Sequence, residues 1–269
     1  MPTFLFWNLA GKPLESLVSE LAKAHEADLL VLAECDVEPS VLLQALNRTK
    51  PEFQFAIGFS EKLRVFTRFH AGFLKPMFES SRVSIRRLRL PGRNEILLAA
   101  AHFPSKLYYS EETIKFESID LARRIEDVES AVGHRRTVLM GDLNMNPFEA
   151  GLVAAGALNS VLSRDVALRE SRTIQGKEYR FFYNPMWQHF GDGLDRPQGT
   201  FYYERADQIN YYWNLFDQVL LRPDLLENFS ASQVRILTYA GSIPLLDSKG
   251  RPDKKVASDH LPVLLTLEF

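Results

Sequence analysis

Apolar residues along this chain fall into two recurring patterns. Short unbroken runs at 4–7, 29–33 and 137–140 read as strands buried on both faces. Positions 14, 17, 18, 21 and 25 instead repeat every three or four residues and predict an amphipathic helix opened by Pro13. A second helix is predicted near 41–46, and strand-like pieces over 53–57, 63–67, 72–77, 82–90 and 95–102. Ser110 has the chemistry of an N-cap, Glu111 and Glu112 suit a first turn, and Ile114, Leu121, Ile125, Val128 and Val132 carry a long helix to Gly133. A helix over 148–155 and strands over 216–221, 234–239 and 261–267 complete the pattern. With no internal repeat and no Gly/Ser or Pro-rich linker, the chain is expected to form one domain over 1–269, with mixed sheets and outer helices.

Two stretches depart from simple alternation. Arg82, Ser84 and Arg86 alternate with Val83 and Ile85, but Arg87 and Arg89 then alternate with Leu88 and Leu90 in the opposite phase. A bulge near 86–87 would restore one apolar face and keep every arginine outward. Between 179 and 216 the chain is unusually aromatic, with Tyr183, Trp187 and Trp213 as candidate substrate contacts. Its glycines, Gly191, Gly193 and Gly199, suggest a mobile flap over 187–199. Equally, those rings can pack beneath a long loop as a satellite core.

Composition narrows the function classes. The 269 residues hold 32 Lys plus Arg against 34 Asp plus Glu, a formal charge of -2, so no global basic excess argues for a polyanion partner. The single cysteine, Cys35, excludes an intrachain disulfide and reads as a small buried hydrophobe. None of the six histidines shows zinc-site spacing. No run approaches the ~20 apolar residues of a membrane helix, and the N-terminus lacks a basic signal-like segment, so a soluble cytoplasmic protein without a transmembrane segment is expected.

The chemistry lies where polar residues meet strand ends. Asn8 ends the first apolar run, Glu34 the second and His102 the run over 97–101, while Gly141-Asp142-Leu143-Asn144 follows 138–140. Asp217 sits inside a strand, and Ser258-Asp259-His260 precedes the last one. Open α/β sheets gather ligand sites at strand ends, so these groups are expected to line one crevice. Carboxylate and amide oxygens are hard ligands suited to Mg²⁺ or Mn²⁺. An imidazole beside a buried carboxylate makes a base, and a second imidazole can serve a leaving oxygen.

In order and spelling, Trp7-Asn8, Leu32-Ala33-Glu34, Ala101-His102-Phe103-Pro104-Ser105, Gly141-Asp142-Leu143-Asn144, Phe216-Asp217-Gln218-Val219-Leu220 and Ser258-Asp259-His260-Leu261-Pro262-Val263 resemble the successive motifs of the endonuclease/exonuclease/phosphatase superfamily. The resemblance spans residues 4–269. It implies a four-layer α/β sandwich of two packed mixed β-sheets flanked by helices. It further implies that Glu34 is the principal ligand of Mg²⁺ or Mn²⁺, with Asn8 and Asp259 close to the metal. By the same resemblance Asp142 orients the attacking water, Asn144 holds a phosphate oxygen, and His260 acts as base or phosphate contact with Asp217 fixing its tautomer. His102 is similar to the branch containing deoxyribonuclease I and sphingomyelinases. There an acidic residue supports the histidine, a role that would fall to Glu61, and Arg68 ends the same strand as a candidate substrate contact. Gln218 departs from the Arg or Tyr common after the aspartate.

The expected function is metal-dependent phosphodiester hydrolysis, foremost by a nuclease acting on DNA or RNA. A phosphatase or phosphodiesterase of an inositol phosphate, sphingolipid or nucleotide-type molecule keeps the same chemistry. A non-catalytic binding module would have no use for the full set of acid, amide and imidazole positions. The partner is then nucleic acid or a small phosphodiester, with no protein partner evident, and near-neutral charge favours a short contact over tracking along a duplex.

Overall fold

The computed structural model describes residues 1–192, 197–227 and 229–269. Along the chain run β1 (Thr3–Asn8), α1 (Glu15–Ala24), β2 (Leu29–Ala33), α2 (Pro39–Leu46), β3 (Gln54–Phe55), β4 (Leu63–Thr67), β5 (Leu74–Glu79), β6 (Val83–Leu88) and β7 (Ile96–His102). There follow α3 (Glu111–Val132), β8 (Thr137–Asp142), α4 (Ala150–Val153), β9 (Ser160–Val161), α5 (Arg164–Ala167), β10 (Ser171–Ile174), β11 (Lys177–Arg180), β12 (Phe182–Tyr183) and β13 (Phe201–Tyr202). The chain closes with β14 (Trp213–Asn214), β15 (Asp217–Leu221), β16 (Val234–Ile236), β17 (Tyr239–Ala240), β18 (Ile243–Pro244) and β19 (Val263–Thr266).

Two mixed sheets carry the architecture, ordered β16-β19-β1-β2-β4-β3 and β5-β6-β7-β8-β15-β12-β9. Alternate residues explain how they stack. Phe4, Phe6, Leu29 and Val31 of one sheet meet Leu98, Ala100, Val138, Met140, Val219 and Leu221 of the other in a shared core. The opposite positions Leu5, Trp7, Leu30 and Leu32 pack on Leu17, Val18 and Leu21 of α1 and on Leu42 and Leu46 of α2. Ile85, Leu97, Ala99 and Leu139 pack on Ile114, Leu121 and Ile125 of α3. This is the expected helix, sheet, sheet, helix sandwich. Each fully buried Leu or Phe in these layers stabilises by roughly 1.5–3 kcal/mol.

Helix ends follow the predicted chemistry. Ser110 Oγ accepts from Thr113 N, and Gly133 closes α3 in the left-handed conformation at φ 76°. Elsewhere boundaries contract. The helix expected over 148–155 is the single turn of α4, the strand over 53–57 is the two-residue β3, and Ala71–Phe73 forms a 3₁₀ turn before β5. The strand expected over 234–239 stops at Ile236.

The arginine-rich strand is corrected. β6 pairs with β7 in unbroken register from Val83↔Ala101 to Leu88↔Ile96, and the irregularity falls on β5, between Pro76 and Phe78. Arg86 is therefore not outward: it is 3% exposed in the inter-sheet layer. Its Nη2 donates to Glu79 Oε1 at 2.6 Å and to Ile57 O at 3.2 Å. An inward arginine is tolerated because a carboxylate meets it there. A second buried pair, Arg222 to both oxygens of Glu129 at 2.9 and 3.2 Å, ties β15 to α3.

Parallel β7 and β8 place Ala101 opposite Gly141. A Cβ on Gly141 would lie 1.9 Å from Ala101 O, which explains why the turn motif begins with glycine. Gly141→Ala should cost about 2–3 kcal/mol in urea unfolding. A change below about 0.5 kcal/mol would show that the strands separate freely there.

Candidate active site

The stripes that form the inter-sheet core end in polar groups. Continuing each by two residues, Phe4-Phe6 leads to Asn8, Leu98-Ala100 to His102 and Val138-Met140 to Asp142, while Val219 is preceded by Asp217. Pairing aligns the strand ends, with His102 opposite Asp142 and Asp217 opposite Asp142. Glu34 follows β2 in a left-handed conformation at φ 45°, which breaks the strand.

Asp142 is the hub. Its Oδ1 accepts from Asn144 N at 3.0 Å, and its Oδ2 accepts from Asn8 Nδ2 at 2.9 Å. His102 Nε2 lies 3.8 Å and His260 Nε2 4.0 Å from the same Oδ2. Asn8 Nδ2 also reaches Glu34 Oε1 at 3.4 Å, and His102 Nε2 stands 3.2 Å from that oxygen. The His102 bond, aided by Asn8 and opposed by burial, holds the Glu34 carboxyl down to about 2.

On the other side, His260 Nδ1 meets Asp217 Oδ2 at 2.8 Å, and Asp217 is fully buried. Burial alone would lower the His260 pKa, but the facing Asp217 and Asp142 carboxylates reverse this and raise it to about 10. Burial likewise pushes the Asp217 carboxyl up, against the pull of His260. The pair shares a proton with Nδ1 as the bonded nitrogen, which leaves Nε2 facing Asp142. Ser258 fastens the segment: its Oγ donates to Asn8 O at 2.6 Å and accepts from His260 N at 3.1 Å. Trp7 Nε1 donates to His260 O at 2.8 Å.

The residues suit a hard divalent cation. Asp259 Oδ1 is buried with no hydrogen-bond partner, and the Glu34 side chain remains 43% exposed beside the cleft. Each offers an oxygen with unfilled capacity, the kind of ligand that Mg²⁺ or Mn²⁺ takes alongside water. A tighter group, Asp142, Asp217 and His260, brings three donor atoms within 4.8 Å of one another. Two of those atoms already bond each other, so that group is better described as a hydrogen-bonded acid and base.

Asn8 lies beside Glu34, as expected of a residue close to the metal. Its Oδ1 accepts from Ala10 N at 2.9 Å, and it is the amide nitrogen that faces Asp142 and Glu34. In this arrangement Asn8 draws two carboxylates together as a donor. Asn144 is at the site, with a left-handed φ of 49° and its Nδ2 donating to Phe103 O at 2.9 Å.

Several peripheral candidates lie elsewhere. Glu61 is exposed and makes no bond to His102, whose Nδ1 is buried without a partner. Arg68 leaves the wrong end of β4, because β4 runs antiparallel to β2 and Thr67 faces Leu29, not Ala33. It sits 3.6 Å from Glu52 and 5.0 Å from the Phe53 ring. Tyr183 pairs with Leu221, at the far end of β15 from Asp217, and packs in the core on Phe229. Trp187 joins Phe148 in an aromatic cluster with Phe190 and Tyr211. Trp213 packs edge-on to Tyr202, on the face of the β13-β14 hairpin opposite Phe201. Gln218 is buried between Met145 O and Asn184, so its departure from the usual residue serves packing. In the segment expected as a flap, residues 193–196 lie outside the described residues.

Phe201, part of the aromatic stretch though not one of the named candidate contacts, reaches the site. Its centroid lies 4.6 Å from that of His260, and Phe216 and Tyr203 stack on it at 5.4 and 6.3 Å. Asn146 was also missed. It accepts from Leu215 N and donates to Asn214 Oδ1, both at 2.9 Å, holding the approach to Asp217. Its place two residues after Asn144 was the available signal.

Removing the charge of Asp217 tests the electrostatics. In the metal-free Asp217→Asn protein, the His260 pKa should fall well below about 10 in an NMR titration. An unchanged value would show that Asp142 alone sustains it. Because the folded-state value exceeds the ordinary 6.5, this pair stabilises the fold below pH 6.5 and loses that contribution as pH rises through about 10. The variant should flatten that alkaline loss.

Among solved structures, an endonuclease/exonuclease/phosphatase family protein from Leptotrichia buccalis C-1013-b is 14% identical, with TM-score 0.57 and full coverage of both chains. D. rerio TDP2 complexed with a single-strand DNA product is 14% identical, TM-score 0.54, covering 100% of this chain and 99% of that one. The human Nocturnin catalytic domain with bound sulfate is 15% identical, TM-score 0.55, covering 98% and 93%. No curated protein matches the sequence significantly. The family profile described as Endonuclease/Exonuclease/phosphatase family matches residues 5–260, from β1 to His260, and the chain belongs to that family.

Proposed function

We propose that residues 1–269 form one catalytic domain that hydrolyses phosphodiester bonds with Mg²⁺ or Mn²⁺, and that its substrate is nucleic acid. The observation that carries this reading is the buried Asp217-His260 pair, 2.8 Å apart, with Nε2 turned toward Asp142 at 4.0 Å. An oxygen at ~2.8 Å from both atoms fits that gap. Water held there would be oriented by Asp142 and His260, with Asp217 fixing the ring through Nδ1. Glu34 and Asp259 would hold the cation, which neutralises charge developing on the phosphoryl oxygens when bound. Asn144 would hold a phosphate oxygen. His102, close to Glu34 and Asp142, is placed to serve the leaving oxygen.

A small or lipid phosphodiester is the second reading, favoured by exposed apolar side chains near the cleft. Phe59 is 91% and Ile57 80% exposed, in the loop before β4, and Tyr108 is 83% exposed, shortly after His102. Parallel assays on DNA, RNA, sphingomyelin and an inositol phosphodiester would separate the readings.

Glu34→Gln and His260→Ala should each lower divalent-dependent turnover of DNA by at least about 10³-fold while leaving the unfolding midpoint within a few degrees. Calorimetry should show Mg²⁺ or Mn²⁺ binding weakened in Glu34→Gln. Near-wild-type turnover in either variant would remove that residue from the mechanism. Absence of metal binding in the wild type would favour a non-catalytic module.

A further inference from the structure

The end of the second sheet remote from the cleft carries a concentration of arginines that the proposed catalytic chemistry does not use. Glu95 is its centre. Arg87 Nε lies 2.7 Å and Arg89 Nε 3.3 Å from Glu95 Oε2, and His134 Nε2 lies 3.0 Å from Oε1. Arg136 Nε donates to the Glu95 backbone oxygen at 2.7 Å. The adjoining Arg93 and Arg135 form no ion pair among the described residues. Two arginines thus reach one carboxylate whose oxygens are already engaged and a third its backbone, while Arg93 and Arg135 adjoin them in the chain and Arg135 also borders Glu170 and Asp224. Arg89 is 73% exposed at its side chain, and Arg93 is exposed.

Topology explains the clustering. Arg87 and Arg89 leave β6 where it runs antiparallel to β7, next to the β7 start, and Arg135 and Arg136 precede the parallel β8. Leu97 N donates to Arg136 O at 2.8 Å, fastening the two approaches together. The cleft carboxylates occupy the opposite ends of these strands. A near-zero net charge therefore hides an acidic pole and a basic pole. Seven residues of extended chain, from Glu95 to His102, separate them by ~23 Å.

We infer that this arginine pole binds the phosphate backbone of a nucleic-acid strand, the same strand whose bond is presented to the cleft. Guanidinium groups in excess of their acid partners are suited to bidentate phosphate contact. Their distance from the cleft gives a strand long enough to span both poles an advantage over a short one. The inference rests on nucleic acid being the substrate.

The test is fluorescence anisotropy of a labelled 40-nucleotide single strand with the whole protein in EDTA, where no cleavage occurs. Arg89→Glu/Arg93→Glu/Arg135→Glu leaves the better-buried Arg87 and Arg86 intact. It should weaken binding by at least about tenfold and reduce the magnitude of the salt-dependence slope by about 2, since each single-strand phosphate contact contributes ~0.7. The neutral triple Arg→Gln variant should show a smaller loss of the same kind. A control reversing Lys23, Arg48 and Lys50, on the distant α1-α2 side, should lose less than half as much in log affinity. Equal loss in the control, no loss in the Arg89 triple, or binding to phosphatidylserine vesicles without DNA binding would overturn the inference. A wild type that binds the strand but cuts no nucleic acid with any divalent metal would overturn the catalytic reading and, with it, the link from the bound strand to the cleft, while the arginine contact itself would stand.

Discussion

Face-to-face packing of two sheets through alternate residues is the constraint from which the cleft follows. Each inner-face stripe must be apolar where the sheets touch, because an unpaired polar group there costs several kcal/mol. Where the stripes run past the contact, the same periodicity still aims side chains inward, but water can enter. Asn8, His102, Asp142 and Asp217 occupy those positions. Their convergence therefore needs no special loop architecture. It needs only registered strands, and the pairings of β7, β8 and β15 set His102, Asp142 and Asp217 side by side.

Burial then decides what these groups can do. A lone buried Asp217 would favour protonation, and a lone buried His260 would favour neutrality. Together they keep a proton between them, and the second carboxylate of Asp142 strengthens the hold on His260. A divalent cation nearby would weaken that hold, since its positive charge opposes imidazolium. The Glu34 carboxyl, held low by His102, stays ionised across the neutral range.

Much of this could be read from residue order. The buried runs, the N-cap Ser110, the C-terminal Gly133 and the polar groups at strand ends all concern local periodicity or short spacing, and they appear where expected. Long-range partners were less legible. Arg86 looked outward because its phase with Val83 and Ile85 suggested a solvent face, yet Glu79 meets it inside. Arg68 looked close to the cleft because it follows a strand, but strand direction carries it to the other end. Residue type alone points to Tyr183, Trp187 and Trp213, while Phe201 reaches His260 through an isolated bridge that no spacing announces. Glu61 lost its role for the same reason: proximity in a motif did not provide a bond to His102.

The composition reads differently once the chain is folded. Near-equal numbers of acids and bases, 34 and 32, hide a cluster of carboxylates at the mouth and a cluster of arginines near Glu95. Phosphate at the mouth would meet Glu34, Asp142, Asp217 and Asp259 together, a repulsion that the proposed cation would offset. Anomalous diffraction from crystals soaked in Mn²⁺ addresses this account most directly. It predicts a manganese peak within ~2.2 Å of oxygens from Glu34 and Asp259, with the Asp217-His260 bond intact. A peak coordinated instead by Asp142, Asp217 and His260, with that bond broken, would contradict it.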